Sequence, residues 1–203
     1  MNIATGYEWA THQSVIRAAM EVYKPQYILE LGPGVYSTPI FLEYNLLYDC
    51  IENNAAWIIY LNEKYSIDVR HHDLGNISAD VTFDELNFKQ KKQIIDYYSA
   101  IKIPAKHPRL LFVDQYCACR MLSINTLRGE FDVIIYHDSE LKVNRFDQVM
   151  TNGFIRYQLS TDRNCTMLMT KINRPEIEIM IIPFIESFMR EYPDCTRMNF
   201  ELL

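Results

Sequence analysis

The chain has 203 residues, a formal net charge of −6 at pH 7 and a pI near 5.4, which argues against duplex nucleic acid held on a broad basic surface. Hydrophobic residues make up 49% of the chain and charged residues 23%, the balance of one globular domain rather than a disordered segment. No apolar run reaches membrane-spanning length and no secretion signal opens the chain, so we expect a cytoplasmic protein without a membrane partner.

The first predicted element is a helix ahead of the first strand. Apolar residues recur at helical spacing from Tyr7 to Tyr23, and a Lys-Pro pair ends the pattern, so residues 1–26 are expected to form a helical cap on the domain. Trp9 and His12 are three residues apart and share one face of that helix. They are either packing residues or part of a pocket wall.

A strand and a tight turn are predicted next. Residues 27–31 are apolar except for Glu30, and Gly32, a proline and Gly34 follow at once, which indicates a buried strand and a turn where a backbone can approach a ligand closely. Ser37 or the threonine after it can cap the following helix. A buried carboxylate is poorly solvated, so Glu30 is expected to accept a hydrogen bond or to face a cation.

This spacing of an acid and two glycines resembles motif I of the class I, Rossmann-like S-adenosylmethionine-dependent methyltransferases. The resemblance implies a doubly wound α/β domain with a mostly parallel seven-stranded sheet and an antiparallel final strand. It also implies S-adenosylmethionine as the cofactor, with Gly32 and Gly34 under its methionine end and Glu30 and Ser37 beside them. A strand-turn-helix without a ligand is the alternative for this stretch alone.

A second strand is predicted over residues 46–51, and Glu52 ends it. A carboxylate about 20 residues beyond the glycine turn, at the end of the next strand, is where a dinucleotide-type fold places its acceptor for ribose hydroxyls. Glu52 is therefore the predicted ribose ligand. The alternative is that Glu52 caps the helix predicted over residues 55–64.

The third strand is predicted over residues 67–72 and ends at Asp73. In the resembling family an acid at this place accepts the adenine amino group, which makes Asp73 the predicted adenine contact. His71 and His72 are adjacent, and neighbours on a strand point to opposite faces. This argues against a metal ion held by the two histidines together.

The rest of the chain alternates between helices and strands after an insertion at residues 76–108, which carries a helix predicted over residues 83–101. Further strands are predicted over residues 109–115, 131–136, 154–159 and 166–172, and helices over residues 116–127, 144–150 and 177–192, before a short tail. Closure by a strand hairpin is the methyltransferase version of the doubly wound sheet. The resemblance covers residues 27–172, and residues 173–203 are a predicted helical extension.

Three titratable residues end the later strands: Asp114, His137 and Asp138. Ligands of an open α/β sheet lie beyond the carboxyl ends of the strands, so these side chains are predicted to face the methyl acceptor as catalytic residues, with His137 as the base. The rim also resembles that of metal-dependent O-methyltransferases, which implies a Mg²⁺ site at Asp114 and Asp138. Here the family's acid-amide pair is His-Asp, and histidine suits magnesium less well.

The predicted activity is S-adenosylmethionine-dependent methyl transfer to an oxygen of a small molecule or sugar. The alternatives are another reaction of the same cofactor on this fold (aminopropyl transfer or sulfonium cleavage), a binding domain without catalysis, and a nicotinamide-linked oxidoreductase, for which Ser37 in the third glycine's place is a weak match. Duplex nucleic acid and membranes are not expected as partners, and a homo-oligomer is left open.

Overall fold

One mixed sheet forms the centre of the molecule. The computed structural model describes residues 9–75, 77–78, 81–140 and 144–203. Its strands are β1 (Tyr27–Leu31), β2 (Leu47–Glu52), β3 (Val69–His71), β4 (Arg109–Val113), β5 (Val133–His137), β6 (Ile155–Thr161), β7 (Cys165–Thr170) and β8 (Met198–Leu202). Within these described ranges the sheet has eight strands in the order β3-β2-β1-β4-β5-β7-β6-β8.

The helices cover both faces of this sheet. They are α1 (Gln13–Tyr23), α2 (Thr38–Glu43), α3 (Ala55–Tyr65), α4 (Phe88–Ser99), α5 (Cys117–Leu127), α6 (Ile177–Met180) and α7 (Ile182–Glu191). Helices α1, α2 and α6 contribute to the apolar cluster on one face of the central strands, and α4 and α5 contribute to the cluster on the other face. In the part of the chain that the structure describes, no helix combines the length and apolarity that a bilayer crossing requires.

The strand pairing confirms the predicted fold class. Strands β1 to β5 are parallel, and β7 runs antiparallel to both β5 and β6. The chain moves from β1 to β2 and β3 on one side and resumes with β4 on the other side of β1. The strand order therefore reverses between β1 and β4, which is where open α/β sheets bind ligands.

Strands β1, β4 and β5 are buried along their whole length and mostly apolar, because both faces of the sheet are covered. Alternate residues of a strand point to opposite sides. Leu29 accordingly packs in one cluster with Leu111, while Ile28 packs in the other with Leu110 and Phe112. All of these side chains are fully buried, and burying each one contributes about 1.5–3 kcal/mol to stability.

Strand β8 is an addition to the seven predicted strands. It lies in the predicted helical extension and pairs antiparallel with β6, where Phe200 stacks on Tyr157 with ring centroids 5.3 Å apart. Without β8, the backbone groups of β6 would form the exposed edge of the sheet. The sequence predicts no element in the short tail, and β8 is found only in the structure.

Several predicted elements have different limits, each for a local reason. Helix α1 begins at Gln13 rather than at Tyr7, and residues 1–8 lie outside the described residues. The predicted helix over residues 83–101 is divided into a 3-10 turn and α4, because Asn87 caps α4 through a reciprocal pair of hydrogen bonds with Gln90. The predicted insertion includes residues 76, 79 and 80, which are likewise outside the description.

The later helices also differ from the prediction. The helix expected over residues 144–150 is a single 3-10 turn, Phe146–Gln148. The helix expected over residues 177–192 is interrupted between α6 and α7, where Pro183 occupies the first turn of α7 and has no backbone N–H to continue a helical ladder. The third strand ends at His71, before the predicted limit at residue 72.

Candidate cofactor and active site

A cavity of about 650 Å³ opens beside the carboxyl ends of β1, β2 and β4. Its wall contains the turn after β1 (residues 32–37), the end of β2 at Glu52, and residues 114–117 after β4. Trp9 and His12, from the segment before α1, also form part of the wall. The cavity therefore lies at the reversal of the strand order, as the doubly wound topology predicts for a ligand.

The turn after β1 lies directly against the end of β4. Gly32 has a φ of +85°, and a Cβ built on it would be 2.5 Å from the backbone atoms of Asp114 and Gln115. Only glycine tolerates both that backbone conformation and that contact. Trp57 supports the same turn because its indole Nε1 donates a hydrogen bond to the carbonyl oxygen of Pro33 at 2.8 Å.

Glu30 holds this turn from beneath and is not on the cavity wall. It is fully buried, and its carboxylate accepts hydrogen bonds from Ser37 Oγ at 2.5 Å, from Thr38 Oγ1 at 2.9 Å and from the hydroxyl of Tyr48. Its predicted need for hydrogen-bond donors is met by the first residues of α2. Burial raises the pKa of Glu30 from 4.5 to about 7, although these hydrogen bonds oppose the shift.

We expect Glu30 to make stability fall as the pH rises. Its raised pKa means that the folded state favours the neutral acid, so its contribution is complete below pH 4.5 and is lost as the pH rises through 7. The total loss is about 3 kcal/mol. Glu30→Gln cannot ionise and should lose less stability than the wild type between pH 5 and 8, as measured by urea denaturation.

Glu63→Gln, which changes an exposed acid on α3, is the control and should keep the wild-type pH dependence. A Glu30→Gln protein with the same slope as the wild type would contradict the assignment.

Glu52 is anchored at the start of α3. Its Oε1 accepts hydrogen bonds from the backbone N–H groups of Asn53 and Asn54 at 2.8 and 2.7 Å, while the residue also forms part of the cavity wall. The cap of α3 is Asn54, whose side-chain oxygen accepts hydrogen bonds from the N–H groups of Ala56 and Trp57, so Glu52 holds the backbone ahead of the helix and does not cap it. Its carboxylate has a second oxygen for a ligand. Burial raises the pKa of Glu52 to about 7.

Asp114 and Arg120 form another part of the cavity wall. Arg120 Nη2 lies 2.8 Å from Asp114 Oδ1, and its Nη1 lies 3.2 Å from Asp138 Oδ2. Its Nε donates a hydrogen bond to the carbonyl oxygen of Gln115 at 2.6 Å. Burial acts to raise the pKa of Asp114, but the charges of Arg120 and His137 outweigh burial and lower it to about 2. Asp114 is therefore a carboxylate at any physiological pH.

His137 lies behind Asp114 and is not on the cavity wall. Only 1% of its surface is exposed; its Nδ1 is 3.7 Å from Asp114 Oδ1 and 3.4 Å from Asp138 Oδ1. Its Nε2 lies 2.9 Å from Thr11 Oγ1. Burial acts to lower the pKa of His137, but the hydrogen bond and charge of Asp114 outweigh it, so the pKa is raised.

His12 is the second histidine of this region. It lies on the cavity wall, yet only 2% of its surface is exposed, and neither ring nitrogen has a hydrogen-bond partner within the described ranges. Its ring meets that of His137 edge to face, with centroids 4.7 Å apart. Burial, with His137 second, lowers the pKa of His12 to about 3, so the ring is neutral at physiological pH.

Comparison with known proteins finds similarity in structure but not in sequence. No protein-family model matches the sequence, and no curated protein matches it significantly. The structure is similar to that of protein LPL1258 from Legionella pneumophila, of family DUF519, with a TM-score of 0.57 and 10% identity over 99% of this chain and 98% of that chain.

Two further similar structures are O-methyltransferases by name. The first is a putative O-methyltransferase from Klebsiella pneumoniae, with a TM-score of 0.51 and 15% identity over 83% of this chain and 81% of that one. The second is an O-methyltransferase from Bacillus cereus in complex with S-adenosylhomocysteine (SAH), with a TM-score of 0.50 and 14% identity over 84% and 83% of the two chains. The present chain has the class I methyltransferase fold. At these identities the similarity establishes the fold alone.

This methyltransferase fold brings most of the predicted site residues together. Five of them line the cavity: Gly32, Gly34, Ser37, Glu52 and Asp114. Three lie directly behind the wall and contact residues on it: Glu30, His137 and Asp138. Asp73 is exposed and not on the wall, and its carboxylate accepts a hydrogen bond from the N–H of Gly75 at 2.7 Å. Its contact with adenine stays a prediction.

The methyltransferase fold also shows wall residues that sequence reasoning did not single out, Trp57 and Arg120. For Trp9 and His12 it decides in favour of the pocket wall over packing alone. The arrangement does not support the Mg²⁺ site that the resemblance implies at Asp114 and Asp138. Arg120 lies between these two acids and contacts one oxygen of each, so the pair faces a guanidinium rather than one shared ion.

Proposed function

We propose that the protein is an S-adenosylmethionine-dependent methyltransferase that acts on an oxygen of a small molecule or sugar. The proposal rests on two features of the cavity wall. One is the turn at Gly32, which lies directly against the end of β4, and the other is the carboxylate of Glu52 at the end of the neighbouring strand β2. A closely approaching backbone suits the charged methionine end of the cofactor. A fixed carboxylate suits the vicinal hydroxyls of its ribose.

The cofactor's position leaves the Asp114 side of the cavity for the methyl acceptor. Methyl transfer is an in-line displacement, so the protein chiefly has to align the acceptor oxygen with the sulfonium. Asp114 is the predicted catalytic residue on the wall, and it accepts the hydrogen bond of the acceptor hydroxyl. As the bond from the acceptor oxygen to the methyl carbon forms and the bond from the methyl carbon to sulfur breaks, the hydroxyl proton passes to Asp114 and from there to solvent. His137, Asp138 and Arg120 hold the Asp114 carboxylate in place.

The binding half of the proposal is tested by thermal-shift titration with S-adenosylmethionine, SAH and NAD. A ligand that binds the folded state raises the melting temperature, by an amount that grows with the logarithm of its concentration relative to Kd. We expect SAH and S-adenosylmethionine to raise it and NAD to leave it unchanged. Stabilisation by NAD alone would instead favour the nicotinamide-linked alternative.

Asp114→Asn is expected to separate binding from turnover. Removing the carboxylate should lower the rate of SAH formation by about 10²–10⁴-fold and change SAH affinity only a few-fold. The assay measures SAH released with panels of sugars, catechols and other hydroxylated compounds as acceptors.

Asp132→Asn is the matched control, since Asp132 pairs with the exposed His107 at 2.7 Å and is not on the cavity wall. Equal rates for Asp114→Asn and the wild type would remove Asp114 from the reaction. Cofactor binding without methyl transfer, in the form of sulfonium cleavage or aminopropyl transfer, would appear in the same assay as different products.

A further inference from the structure

Three side chains from distant parts of the sequence meet beside the acceptor end of the cavity. His12 precedes α1, Asp114 follows β4 and His137 ends β5, and one ligand atom from each lies within 4.8 Å of the other two. We propose that these three residues bind one divalent transition-metal ion. Two imidazoles and one carboxylate form the ligand set that holds Fe²⁺ and related first-row ions with coordination positions left open.

The unpartnered ring of His12 is the observation that points to a ligand. A buried polar atom without a hydrogen bond is destabilising, by about 1–3 kcal/mol. His12 has two such nitrogens within the described ranges, although its ring is almost completely buried. A metal ion bonded to one nitrogen gives this side chain a partner that no described residue provides.

The surroundings of the other two ligands match those of metal-binding residues. A ligating histidine normally has its second nitrogen hydrogen-bonded, and a ligating carboxylate is itself held by a donor. His137 Nε2 lies 2.9 Å from Thr11 Oγ1, which leaves Nδ1 on the side of Asp114. Arg120 holds Asp114 through Oδ1 at 2.8 Å, and the carboxylate has a second oxygen to offer.

The geometry requires only small side-chain movements. Ligand atoms around a metal ion with bonds near 2.0–2.2 Å lie roughly 3–4 Å from one another, close to the spacing within 4.8 Å seen here. The two carboxylates of Asp114 and Asp138 offset part of the charge of the ion and of Arg120. His12 and Asp114 lie on the cavity wall, so the open coordination positions face the cavity.

The ligand types also select the kind of ion. Magnesium prefers oxygen ligands and keeps several of its waters. Imidazole suits Zn²⁺, Ni²⁺ and Fe²⁺, with Co²⁺ between the last two in affinity, and the carboxylate also suits Mn²⁺. The site therefore differs from the magnesium site that the resemblance implies. It includes His12 and does not use Asp138, and it prefers transition-metal ions to Mg²⁺.

The test measures Co²⁺ binding by the full chain, purified without a histidine tag and stripped with EDTA. We expect about one Co²⁺ per chain by titration calorimetry, a visible absorption band from the bound ion, and a melting temperature about 5 °C higher or more at 100-fold excess over Kd. Zn²⁺ and Mn²⁺ should also bind, and Mg²⁺ should bind more weakly than Co²⁺.

His12→Phe is the decisive variant. It removes two unpartnered nitrogens from a site beside Phe112, whose ring centroid is 5.2 Å from that of His12, so the variant should be at least as stable as the wild type. Its Co²⁺ affinity should fall about 100-fold or more. His12→Gln is a second variant of similar size and should lose the same affinity.

His107→Ala is the control, because it removes a histidine that also pairs with a carboxylate but is exposed and not on the cavity wall. It should bind Co²⁺ as the wild type does. Unchanged binding in His12→Phe, or no Co²⁺, Zn²⁺ or Mn²⁺ binding by the wild type, overturns the metal site. Tighter binding of Mg²⁺ than of Co²⁺ overturns the assignment of the ion.

The metal site does not depend on the proposed function, and the two can fail separately. SAH is titrated into the stripped protein in parallel. A thermal shift with SAH and no metal binding leaves the methyltransferase proposal standing and removes the metal site. Metal binding with no shift from SAH or S-adenosylmethionine does the reverse.

Discussion

Gly32→Ala is expected to lower the free energy of unfolding by about 3 kcal/mol or more. The φ of +85° costs a residue with a Cβ about 1–2 kcal/mol, and the new atom would lie 2.5 Å from the backbone of Asp114 and Gln115, an overpacking that costs about 1–3 kcal/mol more. Because neither backbone can move aside alone, the turn and the end of β4 should separate. Chemical denaturation measures the loss, and SAH titration should show much weaker binding in the same variant.

Gly153→Ala isolates the clash from the backbone strain. Gly153 has nearly the same φ, +84°, but a Cβ there would meet nothing within 4 Å. It should lose only about 1–2 kcal/mol and keep its SAH affinity. If the two alanine variants had the same free energy of unfolding, the close contact between the turn and β4 would not contribute to the effect of Gly32→Ala.

Glu52→Gln is expected to weaken SAH binding by about 100-fold or more. A hydrogen bond to a charged group contributes about 1.5–3 kcal/mol, and the proposed role gives Glu52 two ribose hydroxyls to bind. A glutamine side chain has a single acceptor oxygen, so it cannot accept from the N–H groups of Asn53 and Asn54 and from the ribose hydroxyls together. Titration calorimetry of SAH measures the change. Glu63→Gln, which changes an exposed acid on α3, is the control and should bind SAH like the wild type.

The same proposal sets the direction of the pH dependence. Burial raises the pKa of Glu52 to about 7, and the ionised carboxylate is the form that accepts both hydroxyl protons. SAH affinity of the wild type should therefore increase as the pH rises from 6 to 8, and that of Glu52→Gln should not. Wild-type affinity in the Glu52→Gln protein would leave this acid with only its structural role at the start of α3.

Much of the fold could be predicted because its signals are local. The buried strands β1, β4 and β5 each have four apolar residues out of five, and such runs arise wherever both faces of a sheet are covered. The turn after β1 is predictable from Gly32 itself, because the backbone conformation of the turn excludes other residues at that position. The antiparallel closure followed from the spacing of two strands around a polar turn. Strand β8, in contrast, gains its stability from pairing with β6, which no local pattern reports.

The site was less predictable, since whether a side chain lines the cavity depends on where its helix or strand ends. Asp73 follows its strand as predicted, but β3 already ends at His71, two residues before Asp73. The side chain of Asp73 accepts a hydrogen bond from the N–H of Gly75. Arg120 is the one charged residue in α5, a signal that could have marked it as a partner for an acid. Its partners, Asp114 and Asp138, lie outside α5, so the pattern within the helix does not say which acids they are.

The sequence by itself determined the class of fold, the glycine turn and the acids that end the parallel strands, because backbone conformation and the alternation of buried residues are set by neighbours along the chain. Only the tertiary structure decided that His12, Asp114 and His137 converge, that Arg120 bridges two of the acids and that Asp73 lies off the wall. Those outcomes depend on how α1 and α5 pack against the ends of the strands, and side chains more than 20 residues apart in sequence meet only once that packing exists.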